Sequence, residues 1–208
     1  AAGRLAAEYP DTWIHTHLAE NMDEVEQIAR QFPDSRSYLD VYDCFGLVRK
    51  RAVFAHCLHM DEQDRSSMAT NSAAAAFCPT SNLFLGSGLF DLPAMRKAGI
   101  NCGLGTDVGG GTSLSMLRTA SEAYKVLHLQ EHALPAMRAL YLATLGAAES
   151  LDLDAKIGNF KKGKEADFAV LDFEGSSLTA RRCAAASTIE EKLFALMTLA
   201  DEIGRAHV

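Results

Sequence analysis

The chain has 208 residues, 48% of them apolar and 23% charged, and 20 Lys and Arg stand against 27 Asp and Glu for a formal net charge of −7. That profile describes a globular protein and excludes a disordered tail or a collagen-like rod. No apolar run approaches the roughly 18 residues that a membrane span needs and no basic-then-apolar leader opens the chain, so a cytoplasmic protein without a membrane partner is expected. The acidic balance, with basic clusters no longer than Arg49-Lys50-Arg51, argues against nucleic acid as a partner. Cys44, Cys57, Cys78, Cys102 and Cys183 form no C-x-x-C and sit in apolar surroundings, which reads as reduced, buried thiols.

In chain order, Leu5, Ala6 and Tyr9 fall at helical spacing until Pro10-Asp11 breaks the pattern. A short strand is expected over Trp13 to Leu18, and a helix over Met22 to Gln31, where Val25, Ile28 and Ala29 make an apolar stripe. Ala52 to Ala55 reads as a buried strand followed by a polar helix, Asp61 to Thr70. The rhythm repeats with strand Ala73 to Phe77, a Gly/Ser loop and helix Asp91 to Ala98, then with strand Ile100 to Leu104 and helix Leu114 to Leu129. Four alternations of short apolar strand and helix predict a parallel α/β sheet or barrel over residues 1–150. The length is short of the roughly 250 residues of a typical eight-stranded barrel. After a helix near Pro135 to Glu149 the texture changes. Ile157 to Asp172 reads as strand, turn, strand, and Ile189 to Glu202 as a closing amphipathic helix, so residues 151–208 are expected to form part of a small β domain with that helix.

In a parallel α/β array the carboxyl edge of the strands carries function, because a rigid sheet holds the loops there. The four predicted strands end in His15-Thr16-His17-Leu18-Ala19-Glu20, Ala55-His56-Cys57, Phe77-Cys78-Pro79 and Gly105-Thr106-Asp107. His17, His56 and Asp107 are imidazole and carboxylate donors suited to Zn²⁺ or another first-row divalent metal, with the carboxylate of Glu20 close by. Each has a plainer reading. A strand-end His can be a hydrogen-bonded structural residue, Asp107 a turn or cap, and Glu20 a favourable charge at a helix N-terminus. Independent structural roles would not require all of them to fall at one edge, which favours a metal site. His15 and His17 form an H-x-H on one face of a strand. His59, on the loop after the second strand, is a candidate to touch substrate or a surface residue. Gly158 to Lys164 matches G-x-x-x-x-G-K, but Glu165 replaces the Ser or Thr of a phosphate loop and the context is not strand-to-helix. No G-x-S-x-G nucleophile elbow occurs, and Ser87 stands in a bare Gly-Ser-Gly.

The motifs HTHLAEN (His15 to Asn21), AHC (Ala55 to Cys57), FCPTSNLFLGSG (Phe77 to Gly88), GLGTDVGGGTSLSML (Gly103 to Leu117) and GNFKKGKEADFAVLD (Gly158 to Asp172) resemble the amidohydrolase superfamily and, within it, the guanine-deaminating branch. The resemblance implies the C-terminal half of a (β/α)8 barrel, strands five to eight, followed by part of a small β domain. It implies His17, His56 and Asp107 as metal ligands, Glu20 and Asp107 as catalytic groups, and His15 as a neighbour outside the ligand set. The superfamily's H-x-H ligand pair on strand one is absent from this chain, so a homodimer or the missing N-terminal half is the expected partner. The implied activity is hydrolytic deamination of guanine, a small purine base, to xanthine and ammonia by a metal-activated water. Another purine, pterin or triazine deaminase or chlorohydrolase, or a non-catalytic metal-binding fragment, are the alternatives.

Overall fold

The computed structural model describes residues 1–199. The elements run α1 (Ala2–Glu8), β1 (Ile14–Leu18), α2 (Met22–Gln31), α3 (Tyr38–Cys44), β2 (Ala52–His56), α4 (Glu62–Thr70), β3 (Ala74–Phe77), α5 (Pro79–Phe84), α6 (Leu92–Lys97), β4 (Cys102–Leu104), α7 (Met116–Leu129), α8 (Ala136–Ala143), α9 (Leu145–Ser150), α10 (Ser177–Ala184) and α11 (Ile189–Leu199). The four strands form one sheet in the order β1-β2-β3-β4. All neighbours are parallel, with Ile14 opposite Ala52, Val53 opposite Ala74 and Ala75 opposite Cys102. Parallel neighbours require a crossover, and helices supply it on one face.

Side-chain alternation divides the sheet. Leu18, Phe54, Phe77 and Leu104, one from each strand, join Met68, Phe90 and Met95 from the crossover segments and Val126 and Leu127 from α7 in one apolar core. Phe77 stacks on Phe90 with ring centroids 4.6 Å apart. Burying each such side chain is worth about 1.5–3 kcal/mol, which is the main force holding helices on this face. The opposite face is left open. His15, His17, Val53, Ala55, Ala76 and Gly103 line a concavity of about 490 Å³ there. On that face of β1, His15 and His17 are exposed.

Helix starts follow their caps. Asn21, Ser37, Asp61, Asp91, Ser115 and Ser176 each accept the backbone N–H three residues on. Periodicity does not reveal α3, α10 or the short α5, whose N-cap Cys78 makes no side-chain capping bond. The helix expected over Pro135 to Glu149 breaks at Thr144, whose ψ of −97° leaves the helical region. Its second piece, α9, then packs against β4 at Gly103, where a Cβ would come within 2.8 Å of the Ala147 backbone.

The strand-turn-strand reading of Ile157 to Asp172 is corrected. The turn is present, with Glu165 N–H donating to Lys156 O at 2.8 Å, but among the described residues no strand forms between 151 and 199. A strand needs a partner to pair with, and this segment pairs with none among the described residues; Phe160, Phe168 and Val170 are exposed. The closing helix is found as α11. It packs on α7 and α8 through contacts such as the edge-on Tyr124–Phe194 pair at 5.1 Å. The last part of its expected range, through Glu202, lies outside the described residues. No described helix is long and apolar enough to cross a membrane.

Candidate metal centre

The carboxyl ends of β1, β2 and β4 bring His17, His56 and Asp107 together, with one possible ligand atom from each within 4.8 Å of the others. They arrive by different local routes. His17 lies inside β1 and takes its place by simple alternation. At His56 (φ 71°) and Asp107 (φ 48°) the backbone enters the left-handed region, so strand alternation stops there. Cys57 and Ala19 are left-handed too, and such residues cost of order 1–3 kcal/mol each and gather at ligand sites. Tertiary hydrogen bonds hold these turns. Cys57 N–H donates to Leu18 O at 2.8 Å, and Gly105 N–H to Phe77 O at 2.9 Å.

His56 is the centre of the cluster. It is fully buried, its ring stacks on His17 at 5.3 Å, and its Nδ1 lies 2.8 Å from Asn82 Oδ1. Its Nε2 has no hydrogen-bond partner. Carboxylate oxygens of Glu20 and Asp107 lie 3.7 and 3.8 Å away, both beyond hydrogen-bonding distance. Leaving a buried polar atom unpaired costs about 1–3 kcal/mol, and a cation accepting its lone pair removes that cost. Two neutral imidazoles and a carboxylate are an ordinary donor set for zinc or another first-row divalent ion, so the residues present fit a metal.

Glu20 sits at the entrance to α2. Its backbone N–H donates to Glu24 Oε2 at 3.0 Å, while Asn21 caps the same helix, and this arrangement fixes where the Glu20 side chain starts. Its carboxylate accepts a hydrogen bond from Ser87 Oγ at 3.4 Å. His59 Nε2 lies 3.2 Å from the carbonyl oxygen of the same Ser87. Glu20, His59 and Ser87 line a second concavity of about 530 Å³ beside the cluster. His15 lines the inner face but lies outside the ligand cluster.

Cys78 lines the concave face beside the ligands, while Cys57 lies in the apolar core on the other face. Burial, and then the neighbouring charge of Asp107, pushes the Cys78 thiol up to about 12, and burial likewise raises Cys57 well above the usual range. Both remain neutral at physiological pH and offer no thiolate to compete with the imidazoles. Asn82 and Ser87 received no role from sequence reasoning. Both stand in the Phe77 to Gly88 motif, and the Cys-Pro start of α5 was the available signal that a helix, not a loop, carries Asn82.

Compared with known proteins, the chain matches the Amidohydrolase family over residues 1–199. It is 50% identical to the guanine deaminase of Escherichia coli (strain K12) over 97% of this chain and 46% of that protein. The structure of E. coli guanine deaminase superposes with a TM-score of 0.97 at 49% identity, covering 100% of this chain and 48% of that one. Guanine deaminase from C. acetobutylicum, with guanine bound in its active site, superposes with a TM-score of 0.83 at 27% identity, over 95% of this chain and 46% of that one. An adenosine deaminase from Xanthomonas campestris with bound zinc gives a TM-score of 0.81 at 27% identity, over 91% of this chain and 43% of that one. The chain spans less than half the length of each of these relatives.

Proposed function

The chain belongs to the amidohydrolase family, and on that premise we propose that it forms the metal-binding half of a hydrolytic guanine deaminase. In this reading β1 to β4 are strands five to eight of an eight-stranded barrel. The open edges of β1 and β4 then meet the N-terminal half of the barrel or a second copy, and the concave face becomes the barrel interior.

The observation that carries the reading is the convergence of His17, His56 and Asp107 around a buried, unpartnered His56 Nε2, with Glu20 3.7 Å from that atom. The two imidazoles and the Asp107 carboxylate would hold a divalent cation, with Zn²⁺ fitting the donor set best. When bound, such a cation lowers the pKa of a water and polarises the bond under attack. The chain's own groups handle the protons. Asp107 accepts the proton of the attacking water. Glu20 delivers a proton to the ring nitrogen beside the amidine carbon C2 of guanine, which makes that carbon more electrophilic. On collapse of the tetrahedral carbon the proton held by Asp107 goes to the departing amino group and the hydroxyl proton returns to Glu20, releasing ammonia and xanthine. Ser87 steadies the Glu20 carboxylate through its hydroxyl, and His59, on the wall of the same concavity, would contact the base.

The test is ammonia release by a complete barrel containing this chain, with guanine compared against adenine, adenosine and S-adenosylhomocysteine. Turnover of guanine in preference to the others is expected. In that enzyme Glu20→Gln should keep the metal content and lower turnover by about 10²–10⁴. Unchanged turnover would remove Glu20 from its role, and preference for another base would move the substrate assignment elsewhere in the family.

A further inference from the structure

Between His17 and Glu20 the chain leaves β1 through a kink. Ala19, 1% exposed, has φ 47°, a left-handed backbone that costs a non-glycine residue of order 1–3 kcal/mol. The loop after β2 holds one side of the kink, since Leu58 N–H and His59 N–H both donate to Ala19 O, at 3.1 and 3.3 Å. Two side chains from the helices grip it as well, one before Ala19 and one after. Before the kink, the Tyr42 hydroxyl of α3 donates to His17 O at 3.0 Å. After it, the Glu20 N–H donates to Glu24 Oε2 of α2, also at 3.0 Å. The two grips are joined, because the Tyr38 hydroxyl donates to Glu24 Oε1 at 2.9 Å and its ring stacks on Tyr42 with centroids 5.5 Å apart. Burial, and then its neighbours Tyr42 and Glu24, push the Tyr38 hydroxyl far above its ordinary range, so it keeps its proton and donates.

An acid in the third position of a helix ordinarily reaches back to the N–H of its own cap. Glu24 holds that position behind the cap Asn21, yet its carboxylate passes Asn21 and takes the N–H of Glu20. Asn21 already accepts the Glu24 N–H at 2.9 Å, so α2 has its cap without this bond. A carboxylate with both oxygens engaged has one place to sit, and the N–H it holds belongs to the residue that carries the proton-delivering group. We propose that Glu24, braced by Tyr38 and Tyr42, is a positioning residue that clamps the Ala19 kink and so sets the Glu20 carboxylate for proton delivery. Glu24 lines neither concavity and acts through the Glu20 main chain. The catalytic arm of this inference rests on the role proposed above for Glu20, whereas the clamp itself does not.

The experiment uses the complete barrel containing this chain, loaded with zinc, and compares variants per folded molecule. Glu24→Ala should lower kcat for guanine by about 10–100-fold with KM and zinc content nearly unchanged, because a displacement of about an ångström at a reacting group costs that much. The solvent deuterium isotope effect on kcat should rise as proton delivery slows. Glu24→Gln keeps an acceptor for the Glu20 N–H and should recover most of the rate. Tyr38→Phe keeps the ring stack without the hydroxyl and should lose less than Glu24→Ala. Asp91→Ala removes the cap of α6 and measures destabilisation alone, so it should leave kcat and the isotope effect where they are. A readout independent of activity is deuterium exchange at the Glu20 amide, which should quicken in Glu24→Ala and stay slow in Asp91→Ala. A Glu24→Ala enzyme with undiminished kcat, or with a Glu20 amide as protected as before, overturns the proposal. Should Glu24→Ala fail to fold, Tyr38→Phe decides, and full kcat with unaltered exchange there overturns it equally. The two readings fail separately. Unchanged turnover in Glu20→Gln removes the role assigned to Glu20, whereas an enzyme that depends on Glu20 and is indifferent to both Glu24→Ala and Tyr38→Phe removes the clamp alone.

Discussion

The amino ends of the strands and their carboxyl ends differ in how completely their polar groups are paired. At the amino end Arg51 is held by Asp152 at 2.9 Å and Asp11 at 3.1 Å, and it stacks over the Trp13 ring at 4.8 Å. Lys50 takes the second oxygen of Asp152 at 2.9 Å, and Trp13 Nε1–H donates to Leu151 O at 2.6 Å. At the carboxyl end His56 Nε2, Ser81 Oγ and Asn82 Nδ2 are buried with no partner. Backbone strain does not separate the two ends, because Arg51 and Asp152 are left-handed just as His56 and Asp107 are. Pairing does. The amino end pairs its charged groups within the chain, whereas the carboxyl end keeps buried atoms unpaired, each costing about 1–3 kcal/mol.

The largest expected effect falls at the carboxyl end. Zinc at a hundred times its dissociation constant should stabilise the chain by about 2.7 kcal/mol, which for a chain of this size raises Tm by roughly 5–10 °C. His56→Asn keeps a residue type that tolerates a left-handed backbone, and it should weaken zinc binding by at least about 100-fold and abolish that rise. An equal rise in both proteins, followed by scanning calorimetry, would break the comparison. A smaller effect is expected from Gly111→Ala. Its Cβ would be driven against the Thr106 carbonyl oxygen in the loop where Gly111 N–H returns to Asp107 O at 2.5 Å. Urea titration should show a loss of about 1–3 kcal/mol.

The smallest effect belongs to the amino end. Hydrogen bonds from Lys50 and then Arg51 hold the Asp152 carboxyl below the ordinary carboxylate range. A depressed folded-state pKa contributes stability above the unfolded value of about 3.9, and that contribution is lost as pH falls through the folded value. Asp152→Asn should therefore cost under about 1 kcal/mol at pH 7, since the pair is partly solvated. The gap between the two proteins should close on acidification below about pH 4. A gap that widens with acid would mean Asp152 is not held as its partners indicate.

Much of this was legible without coordinates. The strand positions, the α2 helix and the shared edge of His17, His56, Asp107 and Glu20 followed from hydrophobic rhythm, because short apolar strands alternating with capped helices leave few arrangements; of the apolar α2 stripe, Val25 and Ile28 are half-buried and Ala29 is exposed. Other features were not. Asn82 and Ser87 lie far from their partners in sequence, and a Gly/Ser-rich stretch gives no periodicity from which to read α5. The Gly158 to Asp172 segment shows the converse. Its alternating Phe168 and Val170 look like a strand, but pattern alone supplies no edge to pair with.

The amino-acid sequence by itself determined the β/α order, the parallel sheet and the identity of the donor atoms, since these depend on local pattern and on residue chemistry. Only the tertiary structure decided that three donors from separate strands meet within 4.8 Å, and that one buried nitrogen among them lacks a partner. Those facts depend on left-handed turns and long-range hydrogen bonds, which become favourable only after the helices have packed on the sheet.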